Sequence, residues 1–166
     1  MLTLVIGGSA SGKSEYAEQQ VLSRPGKRIY LATMQVWDNE SRKRVERHRR
    51  MREGRGFTTV ECPLSIGDAD IPQGSNVLLE DLDNLTANEL FDPNGGGAKA
   101  VLSGISSVLE KCADLTVVCG EVFSGGTAYL DDTLSYMKTA AFINRKLAER
   151  SDRVVEVVCG LPNVLK

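Results

Sequence analysis

Residues 2–14 read LTLVIGGSASGKS, and this stretch decides the fold. Leu2 to Ile6 form an apolar run of strand length, the pattern of a strand covered on both faces. Gly7 to Ser14 fit G-x-x-x-x-G-K-[ST], and a helix is predicted from Lys13 to about Ser23. A strand, a glycine-rich turn and a helix in that order make a cradle for phosphate. Gly7 and Gly12 permit a tight loop whose N–H groups point inward, the helix start adds its positive dipole end, and Lys13 supplies a movable cation. Ser14 can place its hydroxyl on Mg²⁺. The candidate nucleotide-binding loop is therefore Gly7, Gly8, Ser9, Ala10, Ser11, Gly12, Lys13 and Ser14.

Working outward, apolar runs recur as RIYLAT at 28–33, VLLE at 77–80, LTVVCG at 115–120 and VVEVVCG at 154–160. Between them lie a charged helix through the forties, a helix from about Ala98 to Cys112 after the DPNGGG loop at 92–97, and a helix from about Leu130 to Glu149. Continuous apolar strands with helical connectors predict an α/β fold of the P-loop NTPase, RecA-like type, a mostly parallel sheet with helices on both faces. No linker or repeat interrupts it, so one domain over 1–166 is expected.

The 166 residues are 42% hydrophobic and 25% charged, enough to bury a core, which sets disorder aside. A net charge of −2 and the lack of a long apolar run exclude a strongly basic nucleic-acid binder and a membrane span. MLTLVIGG lacks the basic and cleavage regions of a signal peptide, and a cytoplasmic location is expected. Cys62, Cys112, Cys119 and Cys159 lack C-x-x-C spacing and His48 is the only histidine, so no zinc site is expected; the thiols read as buried.

A phosphate loop needs a carboxylate at a neighbouring strand end to hold the cation. VLLED supplies Glu80 and Asp81, of which alternation alone does not say which faces the nucleotide, one being a capping or solvated acid. Glu121 follows a further strand. Ligands of open α/β sheets bind at such ends.

Residues 42–55, RKRVERHRRMREGR, hold 8 of the 20 basic residues and 2 acids, leaving 12 basic against 20 acidic elsewhere. A solvated face is the ordinary reading, and RNA binding lacks interleaved aromatics, Trp37 and Phe57 only flanking the run. The remaining reading is a grip on polyphosphate. On a helix from about Asn39 to Arg52, Arg44, His48 and Arg52 share one face. Guanidinium neighbours disfavour imidazolium, so His48 keeps the free lone pair that an attacking nitrogen needs, while arginines neutralise phosphate oxygens.

The chain resembles the bifunctional adenosylcobinamide kinase / adenosylcobinamide-phosphate guanylyltransferase family of cobalamin biosynthesis. The likeness is carried by GG-x-x-SGKS at 7–14, Tyr30-Leu31-Ala32-Thr33, Asp38-x-Glu40, Arg44-Val45-x-x-His48-Arg49 and Thr59-Val60-Glu61 before Pro63-Leu64. It continues through Glu80, Asn88, Glu121-Val122, Asn144 with Leu147-Ala148, Asp152 and Gly160-x-Pro162-x-x-Leu165-Lys166. The resemblance implies that ATP or GTP phosphorylates adenosylcobinamide. GTP then donates GMP to His48, and the adenosylcobinamide phosphate takes it to give adenosylcobinamide-GDP. By the same match Lys13 and His48 are catalytic, while Thr33, Met34, Arg49, Arg50, Met51, Arg52, Glu61 and Glu80 fall where the family contacts GTP. Ser14 and Glu80 are the metal-side pair, with Glu80 implied as the magnesium or guanine-side acid in preference to Asp81, and a homotrimer is implied.

The chain also departs from that family. Gly120-Glu121-Val122-Phe123 stands where Asn-Glu-Val-Gly is usual, the loop Ser124-Gly125-Gly126-Thr127-Ala128 lacks a proline, and Met137, Lys138 and Ala141 replace an Arg-Asp pair and a glycine. All fall in the second half. Two alternatives follow, a P-loop kinase or guanylyltransferase with a changed acceptor and a nucleotide sensor without catalysis.

Overall fold

The computed structural model describes residues 1–35, 42–43, 45–46, 50, 54–123 and 130–166. Seven strands form one sheet: β1 (Leu2–Gly7), β2 (Arg28–Ala32), β3 (Thr58–Glu61), β4 (Asn76–Glu80), β5 (Asp114–Gly120), β6 (Arg153–Val158) and β7 (Leu161–Val164). Their spatial order is β3-β2-β4-β5-β1-β6-β7. All pairings are parallel except β6 with β7. Helices α1 (Lys13–Leu22), α2 (Leu82–Phe91), α3 (Gly97–Lys111) and α4 (Asp131–Arg150) are fully described, with a 3₁₀ turn at Ile66–Asp68.

Successive strand side chains point to opposite faces, and the two faces meet different helices. Leu2, Leu4, Val77, Leu79, Leu115 and Val117 pack with Leu82 and Leu85 of α2, Ile105 of α3, and Ile143 and Leu147 of α4. Val5, Leu78, Val118 and Val155 pack on the other side with Ala17 and Val21 of α1. Burial on both faces explains why the strands read as unbroken apolar runs. The mostly parallel sheet with helices on both faces is the expected architecture.

Two strands and one helix escape the sequence reading. β3 is a short edge strand with mostly exposed side chains, and β7 carries Pro162; edge positions tolerate both features. α2 turns Thr86 and Glu89 inward beside its leucines, which blurs its apolar stripe. Asp81 caps it by accepting from the N–H of Asn84 at 2.7 Å.

The thiols also need correction. Cys119 is buried, Cys62 and Cys112 are partly buried, but Cys159 is exposed. It occupies the β6–β7 turn, where Cys159 and Gly160 both have positive φ, +50° and +77°. A two-residue turn of that hand matches the twist of its strands, and it carries Cys159 out of the core.

Candidate functional site

The phosphate loop starts where β1 ends. Gly12, at φ +88°, is the first cap of α1 and no side chain satisfies the free N–H groups there. Those donors remain for an anion. Gly7 has no room for a side chain: a Cβ would lie 2.4 Å from Ser11 Oγ and 2.7 Å from the Val157 carbonyl oxygen. Gly160 braces the turn by donating its N–H to the Ser11 carbonyl at 2.8 Å. Lys13 Nζ folds back on the Gly8 carbonyl at 3.2 Å. Ser9 and Ala10 are exposed at the loop crest.

β4 ends beside this loop. Ser14 donates its hydroxyl to Glu80 Oε1 at 2.5 Å, and Glu80 Oε2 is buried without a partner. Burial pushes the Glu80 carboxyl up to about 7, against the Ser14 hydrogen bond and with the adjacent Asp81 adding to the rise. The neighbour is committed elsewhere: Asp81 Oδ1 accepts from both N–H and Nδ2 of Asn84, at 2.7 and 2.8 Å. Burial raises Asp81 as well, to about 6.

Ser14 and the orphaned Glu80 oxygen fit a magnesium ion, a hard cation that takes one or two protein oxygens and completes its shell with phosphates and water. Among the described residues no group of three or more His, Cys, Asp and Glu side chains could hold a metal without such help.

From Glu80 the cleft widens into an open-mouthed pocket lined by Tyr30, Ala32, Met34, Val45, Glu61, Glu80, Asp81 and Asn84. Apolar walls with a few carboxylates and an amide suit a heterocyclic base. Met34, Glu61 and Glu80 are thus brought together. Thr33 is placed differently: it is fully buried, and its hydroxyl donates to the Asp81 carbonyl and accepts the Asp81 N–H. It fixes the strand end and offers no free hydroxyl to a ligand. Asn88, another residue of the resemblance, donates to the Thr33 and Pro63 carbonyls and is likewise a brace.

Arg42, Lys43, Val45, Glu46 and Arg50 are helical, with Val45 partly buried and the other four exposed. His48, Arg44, Arg49, Met51 and Arg52 lie outside the described residues, as do Asp38, Glu40 and the 124–128 loop.

At the end of β5, between β4 and the strand that leads into the phosphate loop, sits a group that sequence reasoning missed. Asp83 Oδ2 accepts the Gly120 N–H, while Oδ1 receives the Tyr136 hydroxyl at 3.4 Å and the Cys119 thiol at 3.6 Å. Cys119 also reaches Asn144 Oδ1 at 3.3 Å. Burial raises the Asp83 carboxyl above the usual range, with the Gly120 N–H opposing it. The only available signal was the run of acids at 80, 81 and 83.

Comparison with known proteins agrees with this construction. The family model for cobinamide kinase / cobinamide phosphate guanyltransferase matches residues 3–165. The chain is 30% identical to the bifunctional adenosylcobalamin biosynthesis protein CobU of Escherichia coli, covering 97% of both chains. It is 29% identical to the bifunctional protein CobP of Pseudomonas aeruginosa, over 100% of this chain and 98% of that one. The CobU protein of Salmonella typhimurium is 28% identical over 97% of each. A phosphate loop answered by a strand-end carboxylate, inside a match of this extent, leads to one assignment: the chain belongs to the cobinamide kinase / cobinamide phosphate guanyltransferase family.

Proposed function

We propose that this chain, as one domain over residues 1–166, is a transferase that phosphorylates adenosylcobinamide with ATP or GTP and then converts the product to adenosylcobinamide-GDP. One observation supports the reading above others: the family match spans 3–165, including the phosphate loop, Glu80 and His48.

The nucleotide lies with its phosphates in the Gly8–Ser14 loop at the start of α1 and its base in the pocket beside Tyr30, Met34 and Glu61. Lys13 leaves the Gly8 carbonyl for the phosphate oxygens. Ser14 and Glu80 hold Mg²⁺, which neutralises charge on the phosphates when bound. In the first reaction the acceptor hydroxyl takes the γ-phosphoryl group and a nucleoside diphosphate leaves. In the second a neutral His48 nitrogen attacks the α-phosphorus of GTP, the bond to the β-phosphate oxygen breaks, and pyrophosphate departs. A phosphate oxygen of the acceptor then displaces the histidine. Splitting one transfer into two lowers each barrier.

No helix among the described residues is long and apolar enough to cross a membrane; we place the reaction in the cytoplasm and the protein in a homotrimer. The test uses α-labelled GTP and Mg²⁺. An acid-labile, base-stable GMP adduct that disappears in His48→Asn is the expected result, and absence of any adduct overturns the transferase half.

A further inference from the structure

Gly120 and Asp83 exclude each other's side chains. A Cβ at 120 would lie 2.4 Å from Asp83 Oδ2, so the carboxylate of α2 fills the space that any larger residue at the end of β5 would claim. The family usually carries asparagine at that position. In this chain the space where such a side chain would begin is taken by the Asp83 carboxylate of a different element.

The position is functional ground. Gly120 pairs in register with Gly7, the first residue of the phosphate loop, and the Glu121 N–H bonds the Gly7 carbonyl at 2.9 Å. The Lys13 charge acts on Asp83 in the lowering direction, against the larger rise that burial causes. Among the described residues no cation lies within ion-pairing distance of this carboxylate, and its partners are an amide, a thiol and a phenol. A partly buried carboxylate without a counter-ion is costly to maintain. Tyr136 donates its hydroxyl to this carboxylate, so the phenol oxygen and the remaining carboxylate lone pairs stand as acceptors beside the strand end that adjoins the phosphate loop. Acceptors of that kind suit an alcohol, which has one hydrogen bond to donate.

The geometry points to Asp83, paired with Tyr136, as the group that holds the acceptor hydroxyl for phosphorylation, in place of the side chain missing at Gly120. This rests on the functional reading above and adds a residue to its first reaction only. The Asp83 carboxylate accepts the hydrogen bond of the alcohol whose oxygen attacks the γ-phosphorus.

Asp83→Ala, Gly120→Asn and the double variant Asp83→Ala/Gly120→Asn test it, with phosphorylation of adenosylcobinamide and formation of the GMP adduct measured separately. Asp83→Ala should lower kcat/KM for the acceptor by roughly 10- to 100-fold, the range for losing a hydrogen bond to a charged group, while nucleotide KM and adduct yield hold. Gly120→Asn alone should do the same by displacing the carboxylate. The double variant should recover most of the loss, because the amide enters the vacated space. A role in folding alone predicts no such recovery. Acceptor kinetics unchanged in Asp83→Ala, an equal fall in both reactions, or a double variant no better than the single ones overturns the proposal. A wild-type chain that phosphorylates no acceptor brings down the functional reading itself, a result distinct from equal turnover by wild type and variant.

Discussion

Ser14 and Glu80, 66 residues apart in the chain, share a 2.5 Å hydrogen bond that joins the first turn of α1 to the end of β4. The bond leaves Glu80 Oε2 buried and unpaired. Uncompensated polar burial of this kind is retained where a ligand is to be met.

The Glu80 carboxyl sets a pH dependence whose sign follows from its direction. Its pKa is raised from 4.5 to about 7 in the folded chain, so the stability gained by holding the proton is complete below the unfolded value and lost as pH rises through about 7. Relative to Glu80→Gln, the ligand-free wild type should lose at most about 3 kcal/mol across that window. Thermal melts of both proteins from pH 4.5 to 8 measure it, and parallel curves would contradict the assignment. Binding of Mg²⁺ with GTP should release a proton near neutral pH, read by calorimetry in buffers of different ionisation enthalpy.

Lys13→Ala removes the one loop cation and should depress both phosphorylation and guanylylation by roughly 100-fold or more, the scale for a charge that stabilises a transition state. Guanylylation at the wild-type rate in this variant would mean two separate nucleotide sites.

Gly7→Ala should damage the loop mechanically. The added methyl meets the Val157 carbonyl oxygen and Ser11 Oγ well inside contact distance, so about 1–3 kcal/mol of stability should be lost. Denaturant midpoints and the GTP dissociation constant should shift together. A stable variant with unchanged affinity would show that the loop relaxes freely.

Glu89 offers a purely structural control. It is 2% exposed, and its two carboxylate oxygens accept the N–H of Ser65 at 2.7 Å and of Gly96 at 2.8 Å. Glu89→Ala removes a buried carboxylate and the two charge-assisted hydrogen bonds that it accepts, and should cost about 2–5 kcal/mol. Chemical denaturation measures this, and a loss below about 1 kcal/mol would mean that water replaces the carboxylate.

What was legible in the residues follows a physical divide. The phosphate loop could be read because glycine, lysine and serine spacing is a local requirement of backbone geometry, and the central strands because burial on two faces demands unbroken apolar runs. β3 and β7 bury little, so their residues carry no such imprint. Strand alternation alone did not separate Glu80 from Asp81, a preference that came only from the resemblance; in the structure Asp81 is engaged by the cap of α2 through Asn84. The Asp83–Gly120 contact joins positions 37 apart through a missing side chain, which leaves no pattern in a single chain.

The placement of β1 has a further consequence, for biosynthesis. Leu2 pairs with Leu115 and Thr3 with Arg153, so the strand that ends in the phosphate loop acquires its neighbours only after most of the polypeptide has left the ribosome. At ordinary elongation speeds that is a wait of roughly ten to thirty seconds with LTLVI unpaired. Nascent chains are therefore candidates for chaperone capture at this hydrophobic segment.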